Sequence, residues 1–231
     1  MTINKNYYLS ARFFPAVLTS FPMLIFINKV IVMRYAEALQ NIYQVLPLVA
    51  HLGLSAAVIF LLVQVNRLVA KEIFQRYYFK EELFMPTTTY LLNKSTFFAA
   101  PIKTKIRDKI AGSFGITLPD NIAEQQDEET ARKIIANAVS QVRVVLKGND
   151  MLLQHNIEYG FWRNLIGGSL IAFVFSIALA VYGMSSHAPQ LTIFGSILSI
   201  IYFLPVLFSR FIISRYGKYY AKILYEQFLN T

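Results

Sequence analysis

Long uninterrupted apolar runs, rather than any alternation with a period of 2 or 3.6, dominate the chain. Val45–Val65 holds no charge and closes on Asn66 and Arg67, and Leu165–Met184 and Leu191–Phe208 are likewise uncharged, with Pro205 near the end of the last and Arg210 just beyond. A helix needs roughly 20 such residues to cross a hydrocarbon core about 30 Å thick, so each run predicts a transmembrane helix. Phe13–Met33 is long enough to be a fourth, but Pro15, Pro22, Asn28 and Lys29 interrupt it, and it is expected to span with a kink or to lie partly in the interface. Ala36-Glu37-Ala38 resembles a signal cleavage site, yet Lys29 and Arg34 precede it where a cleavable signal carries no charge.

The pattern changes between Ala70 and Glu158. No Gly or Pro occurs from Leu54 to Met85, so the second helix is expected to run on past the bilayer as a stalk through Arg67, Lys71, Arg76 and Lys80. The last helix is expected to do likewise through Arg210, Arg215, Lys218 and Lys222, with Gly217 as a weak point. Pro86, Pro101 and Pro119 mark loops. Asn121–Lys147 reads as one helix, because Asn121 and Glu124 have capping-box spacing, acids fill the first turns and Gly148-Asn149-Asp150 ends it. Ile134, Ile135, Ala138, Val142 and Val145 would form its apolar face. Shorter helices are expected over Lys103–Ser113 and Met151–Tyr159, with no alternating strands and no internal repeat.

The fold class is therefore an all-α integral membrane protein, with two-plus-two transmembrane helices around a helical cytoplasmic domain that carries long stalk helices. Its parts would be an N-terminal membrane region (1–69), the cytoplasmic domain (70–158), a C-terminal pair of spans (159–209) and a basic helical tail (210–231).

Composition agrees with that reading. Of 231 residues, 55% are hydrophobic and 15% charged, and the mean hydropathy is +0.45, well above that of a soluble globular domain. There are 22 Lys and Arg against 13 Asp and Glu, and twelve of the 22 fall in Ala70–Glu158 while Ser185–Gln190 holds none. Basic residues stay on the cytoplasmic side, which places the middle segment and, with four spans, both termini in the cytoplasm. Lys29 and Arg34 would then face outward. The absence of Cys excludes disulfides, thiolate metal sites and a cysteine nucleophile.

Candidate chemistry is sparse. His51, His155 and His187 are too scattered for a ligand cluster, and no nucleotide-cradling or nucleophile motif is present. No Asp or Glu lies within an apolar run, so a carboxylate proton relay has no residues to use. Catalytic residues, metal ligands and cofactors are thus not expected. Lys103, Lys105, Arg107 and Lys109 form the densest basic patch outside the stalks, read either as a headgroup-facing surface or as the site of a phosphate-bearing ligand. Gly168, Ala172, Ser176 and Ala180, with Gly195 and Ser199, form small-residue stripes suited to close helix packing within one chain or between copies. A pore would need several copies around an axis, a homo-oligomer such as a tetramer, with His51, Ser55 and Gln64 as the candidate pore-facing positions.

The stretch from His155 to Asn164 is the most unusual. Trp162, Tyr159 and Arg163 suit the lipid interface, whereas Asn156, Glu158 and Asn164 are costly near hydrocarbon unless they pair. Asn156, Glu158, Trp162, Arg163 and Asn164 are read as a polar coupling joint between cytoplasmic domain and spans, with a partner for Glu158 expected in the stalks.

Through this stretch and Pro86-Thr87-Thr88-Thr89-Tyr90-Leu91, over about residues 45 to 215, the chain resembles small membrane proteins of bacterial anti-phage defence operons that stand beside nucleotidyltransferases. The resemblance is to the channel subunit of Hailong-type systems, and more loosely to SMODS-associated four-span effectors. It implies an oligomeric ion channel whose opening is controlled by a nucleotide or single-stranded DNA oligomer made by the partner nucleotidyltransferase, depolarising the membrane when open. The alternative is a non-conducting membrane-anchored scaffold whose cytoplasmic domain docks a protein. A third reading is an uncoupled transporter of a small hydrophobic or anionic solute.

Overall fold

Every regular element among the described residues is helical. The computed structural model describes residues 5–32, 47–80 and 82–231. Its longer helices are α1 (Phe14–Phe26), α2 (Pro47–Val69), α3 (Ala100–Phe114), α4 (Asn121–Gln126), α5 (Glu128–Val145), α6 (Asp150–Ser185), α7 (Pro189–Leu207) and α8 (Ser209–Leu229). Three helical stretches, Lys5–Val30, Asp150–Ser185 and Pro189–Leu207, are long and apolar enough to cross a membrane. The doubtful first run thus qualifies by length and composition. The expected span Val45–Val65 lies partly outside the described residues, and the rest of it falls within α2.

The chain divides into two compact units, the first made of the chain up to Phe74 with Gly160–Ser209, the second of Gln75–Tyr159 with Arg210–Thr231. The basic tail is therefore not a separate part. It belongs to the same unit as the middle segment, because Ala221, Leu224, Tyr225 and Phe228 of α8 are buried in that unit's core.

In the first unit, the prolines of α1 explain two polar contacts. Proline has no N–H, so Pro15 and Pro22 cannot donate to the carbonyls four residues back, Ala11 and Leu18. In an apolar setting an orphaned carbonyl must find another donor. Asn164 Nδ2 donates to Ala11 O at 2.6 Å, and the Tyr202 hydroxyl donates to Leu18 O at 2.6 Å. The helix therefore continues through both prolines, and π-helical turns at Leu9–Phe13 and Ile27–Val32 flank it. Hydroxyls elsewhere bond back to their own helix, as Ser176 to Ala172 O and Ser199 to Gly195 O.

Glycines set the helix spacing. A Cβ on Gly168 would lie 2.3 Å from Asn66 Nδ2 and 2.4 Å from Thr19 Oγ1, and one on Gly195 would lie 2.5 Å from Ala180 N. Asn66 Nδ2 in turn donates to Thr19 Oγ1 at 2.9 Å, tying α2 to α1. Of the stripe, Gly168 is thus used within one chain against Asn66 and Thr19, and Ser176 and Ala180 against Gly195.

The second unit packs around Ile106 and Ile110 of α3, Ile135, Ala138, Val139 and Val142 of α5, and the α8 residues, with Leu91 and Leu92 from the loop. Fully burying such a side chain contributes about 1.5–3 kcal/mol. Asn121–Lys147 is two helices, since Asp120 caps α4 through Ala123 N at 2.8 Å and Asp127 caps α5 through Thr130 N at 3.0 Å. Glu124 completes no capping box; it is buried and accepts from Asn93. Val145 is exposed, its expected place on the apolar face taken by Val139 and Leu146. Met151–Tyr159 is no separate helix but the start of the 36-residue α6. The last span and the tail, expected as one helix with Gly217 as its weak point, are two helices that break at Phe208 just after Pro205. The second-helix stalk reaches Phe79 through π-helical turns at Ala70–Gln75 and stops at Lys80, whose φ of 40° is left-handed.

Candidate functional site

The basic cluster on α3 does not present four cations to solvent. Lys103 and Arg107 are one turn apart and both reach back to backbone carbonyls of the second unit. Lys103 Nζ donates to Leu92 O, Asn93 O and Ser95 O at 3.2, 2.8 and 2.7 Å. Arg107 donates to Leu91 O at 2.7 Å, to Leu118 O at 3.1 Å and to Pro119 O. Its guanidinium lies 3.9 Å from Glu124 Oε1, and burial pulls its pKa below the ordinary value despite Glu124, Asp120 and Asp108. Lys103 and Arg107 thus pin the loops on either side of α3. Lys105 is exposed, and Lys109 Nζ sits 5.3 Å from the Phe228 ring. Lys105 and Lys109 are the members of the cluster with no backbone carbonyl to hold.

The Pro86–Leu91 stretch is a packing hub. Thr87 O accepts from the Tyr225 hydroxyl, and Arg143 of α5 donates to Thr87 Oγ1 at 3.4 Å and to Glu82 Oε2 at 2.8 Å. Burial pushes the Tyr225 phenol up, as it does Tyr90, which rises to about 12 and stacks on Phe97 at 3.7 Å. Three turns earlier on α5, Arg132 donates to Leu83 O at 2.8 Å and to Thr89 Oγ1 at 3.3 Å.

Beside this hub lies a cleft of about 620 Å³ lined by Arg76, Lys80, Leu83, Phe84, Glu128, Glu129 and Arg132. Phe84 is 39% exposed, with the Arg132 guanidinium 4.2 Å and Lys80 Nζ 5.0 Å from its ring centre. Arg132 also pairs with Glu128 at 2.7 Å, and Glu128 is held by Lys94 at 2.6 Å, contacts that keep its carboxyl below the usual range. Arg76 and Lys80 are the exposed cations of the cleft, beside an exposed ring that offers a stacking face, while Arg132 is buried and committed to Leu83 O, Thr89 Oγ1 and Glu128, and two carboxylates stand opposite. Sequence reasoning missed this cleft, although Arg76 and Lys80, four apart beside an exposed Phe84, were its signal. Neither a nucleophile with a base nor a group of three metal-binding side chains occurs among the described residues of the cleft.

The coupling stretch is split by the unit boundary, with Asn156 and Glu158 on one side and Trp162, Arg163 and Asn164 on the other, all on α6. Glu158 Oε2 lies 3.6 Å from His155 Nδ1, one turn back on the same helix. Asn156 is half-buried, Arg163 is 9% exposed, and Trp162 meets Phe161 edge-on at 5.6 Å. Asn164 does pair, with the Ala11 carbonyl that Pro15 leaves free. Of the pore candidates, the His51 side chain lies outside the described residues, Ser55 is half-buried and Gln64 is exposed. A second hollow of about 1110 Å³ lies by the α6–α7 link, between Lys29, Tyr182, Gln190 and Phe194.

No family model, curated protein or solved structure matches the chain.

Proposed function

We infer that the protein is an oligomeric ion channel of the bacterial inner membrane whose opening is controlled by a phosphate-bearing ligand, a nucleotide or a short single-stranded DNA, bound by its cytoplasmic unit. The observation that carries this is α6. One helix without Pro or an internal break belongs to the unit with the basic cleft over Asp150–Tyr159 and to the apolar unit over Gly160–Ser185. A helix of this kind transmits a displacement at one end as a rotation or shift at the other, where a flexible linker would absorb it. The ligand need favour one of two states by only a few kcal/mol to set their populations. Assembly would use the apolar faces left exposed on α7, including Ile193, Ile197, Ile200 and Leu204. The resemblance to anti-phage effectors supplies the setting: a nucleotidyltransferase encoded alongside makes the ligand, and the open channel depolarises the cell.

The ligand is assigned to the cleft, with Lys105 and Lys109 as the accessible cations of the α3 cluster. Binding of a labelled single-stranded DNA oligomer by the detergent-solubilised protein tests it at several salt concentrations. Arg76→Gln with Lys80→Asn should weaken binding and flatten its salt slope, by roughly 0.7 for every strand phosphate no longer neutralised. Binding that Lys105→Ala with Lys109→Ala weakens, and the cleft pair leaves unchanged, would move the ligand to α3. The absence of oligomer binding would refute the nucleic-acid reading and favour the protein-docking scaffold.

A further inference from the structure

Three arginines of the apolar unit lie next to points where its helices press closely against one another. A Cβ on Gly160 would lie 3.0 Å from Ala11 Cβ, and one on Gly167 would lie 2.3 Å from Asn66 O, so α6 presses on the N-terminal helical segment and on α2 at these two points. Arg12 follows Ala11, Arg67 follows Asn66, and Arg163 lies on α6 between the two glycines. Arg12 and Arg163 are both near enough to act electrostatically on Arg67. Arg163 is buried, Arg12 and Arg67 are half-buried, and Arg12 stands over the Tyr7 ring at 5.3 Å with its Nε buried and without a hydrogen-bond partner. Among the described residues of this unit Glu72 is the one carboxylate. It can balance one guanidinium, which leaves at least two positive charges together in a partly dry site, an arrangement that repels itself unless an anion joins it.

The position of the cluster names the anion. Arg12 precedes the apolar run of α1, Arg67 closes that of α2, and Arg163 opens that of α6. All three therefore mark the level where hydrocarbon ends, which is where phosphodiester headgroups lie. Guanidinium is also the side chain best shaped for bidentate phosphate contacts. We propose that Arg12, Arg67 and Arg163 form a phosphate-binding site between the N-terminal helical segment, α2 and α6, whose occupant is the phosphate of an anionic lipid headgroup or a free phosphate compound. This site lies in the apolar unit and does not depend on the ligand reading of the cleft.

The test uses the full chain in neutral detergent and native mass spectrometry, with phosphatidylglycerol, phosphatidylcholine and inorganic pyrophosphate added in separate titrations. Retention of phosphatidylglycerol in preference to phosphatidylcholine is expected. Arg12→Gln and Arg67→Gln should each weaken it about fivefold, the worth of one basic residue near anionic lipid, while Arg67→Lys keeps most of it. Pyrophosphate binding that the same two Gln variants weaken, with no lipid preference, would keep the site and assign it a soluble phosphate. Equal retention of both lipids without pyrophosphate binding, or an anion preference unchanged in both Gln variants, would overturn the proposal. Arg12→Gln gives the answer even if Arg67→Gln does not fold, since the buried Arg12 Nε holds no hydrogen bond to lose.

Discussion

Replacing Tyr202 by Phe removes one hydroxyl, and its cost should depend on a proline in another helix. The hydroxyl donates at 2.6 Å to Leu18 O, the carbonyl that Pro22 deprives of its helical N–H. An orphaned acceptor in a protein interior costs about 1–3 kcal/mol. Hydrogen bonds between membrane helices average about 0.6 kcal/mol and reach about 1.7, because the unfolded chain in lipid also finds partners. Since Pro22 leaves Leu18 O without the N–H four residues on, Tyr202→Phe should fall in the upper part of that range, at about 1–1.5 kcal/mol. That is a fall in melting temperature of roughly 2–6 °C for a chain of this size. Pro22→Ala restores the N–H, so in that background Tyr202→Phe should cost less than about 0.5 kcal/mol. The assay is thermal unfolding of the detergent-solubilised protein followed by Trp162 fluorescence, with all four members of the cycle. An equal loss in both backgrounds, or none in either, would refute the claim that Tyr202 substitutes for the missing amide.

Three further outcomes follow from the second unit. Glu124→Gln should destabilise the protein by roughly 2–3 kcal/mol, because buried Glu124 accepts from Asn93 N and Asn93 Nδ2 and faces half-buried Arg107; faster hydrogen exchange at the Asn93 amide reads it out. Glu128 has a pKa held below its ordinary 4.5, chiefly by Lys94 and then by Arg132, so its contribution is complete above that value and is lost as pH falls through the lowered folded value. The melting temperature should therefore drop on acidification below 4.5 in the natural protein, and more shallowly in Glu128→Gln. Gly112→Ala should stabilise α3 by about 0.5–1 kcal/mol, since the added Cβ meets nothing within 4 Å, whereas Gly115→Ala at φ +65° should destabilise it in the same melt.

The helical, apolar character was legible because long uncharged runs need no tertiary context to be read. What escaped were partners distant in sequence. Pro15 and Pro22 interrupt a span in the sequence, yet each also announces a carbonyl in need of a donor, and Asn164 and Tyr202 stand in other apolar stretches as candidates. The need of Asn164 for a partner is plain from its setting, but Ala11 lies 153 residues away and no local pattern links them. The start of α5 is hidden because Asp127, seven residues after Asp120, looks like helix interior while acting as a second cap. The charge pattern on α3 identifies cations correctly but not their use, since the Leu92–Ser95 and Leu118–Pro119 carbonyls that claim Lys103 and Arg107 come from loops whose path the sequence does not specify. The cleft around Phe84 is hidden for the same reason: α5 brings Arg132 to it from 48 residues downstream.

Single-channel recording tests the central claim most directly, with purified full-length protein in a planar bilayer and short single-stranded DNA oligomers added to one side and then the other. Discrete conductance steps that the oligomer alters from one side only, and alters less in Arg76→Gln with Lys80→Asn, are the expected result. A silent bilayer, with the protein shown to be inserted and oligomeric and the oligomer shown to bind, would contradict the channel and leave a membrane-anchored binding protein.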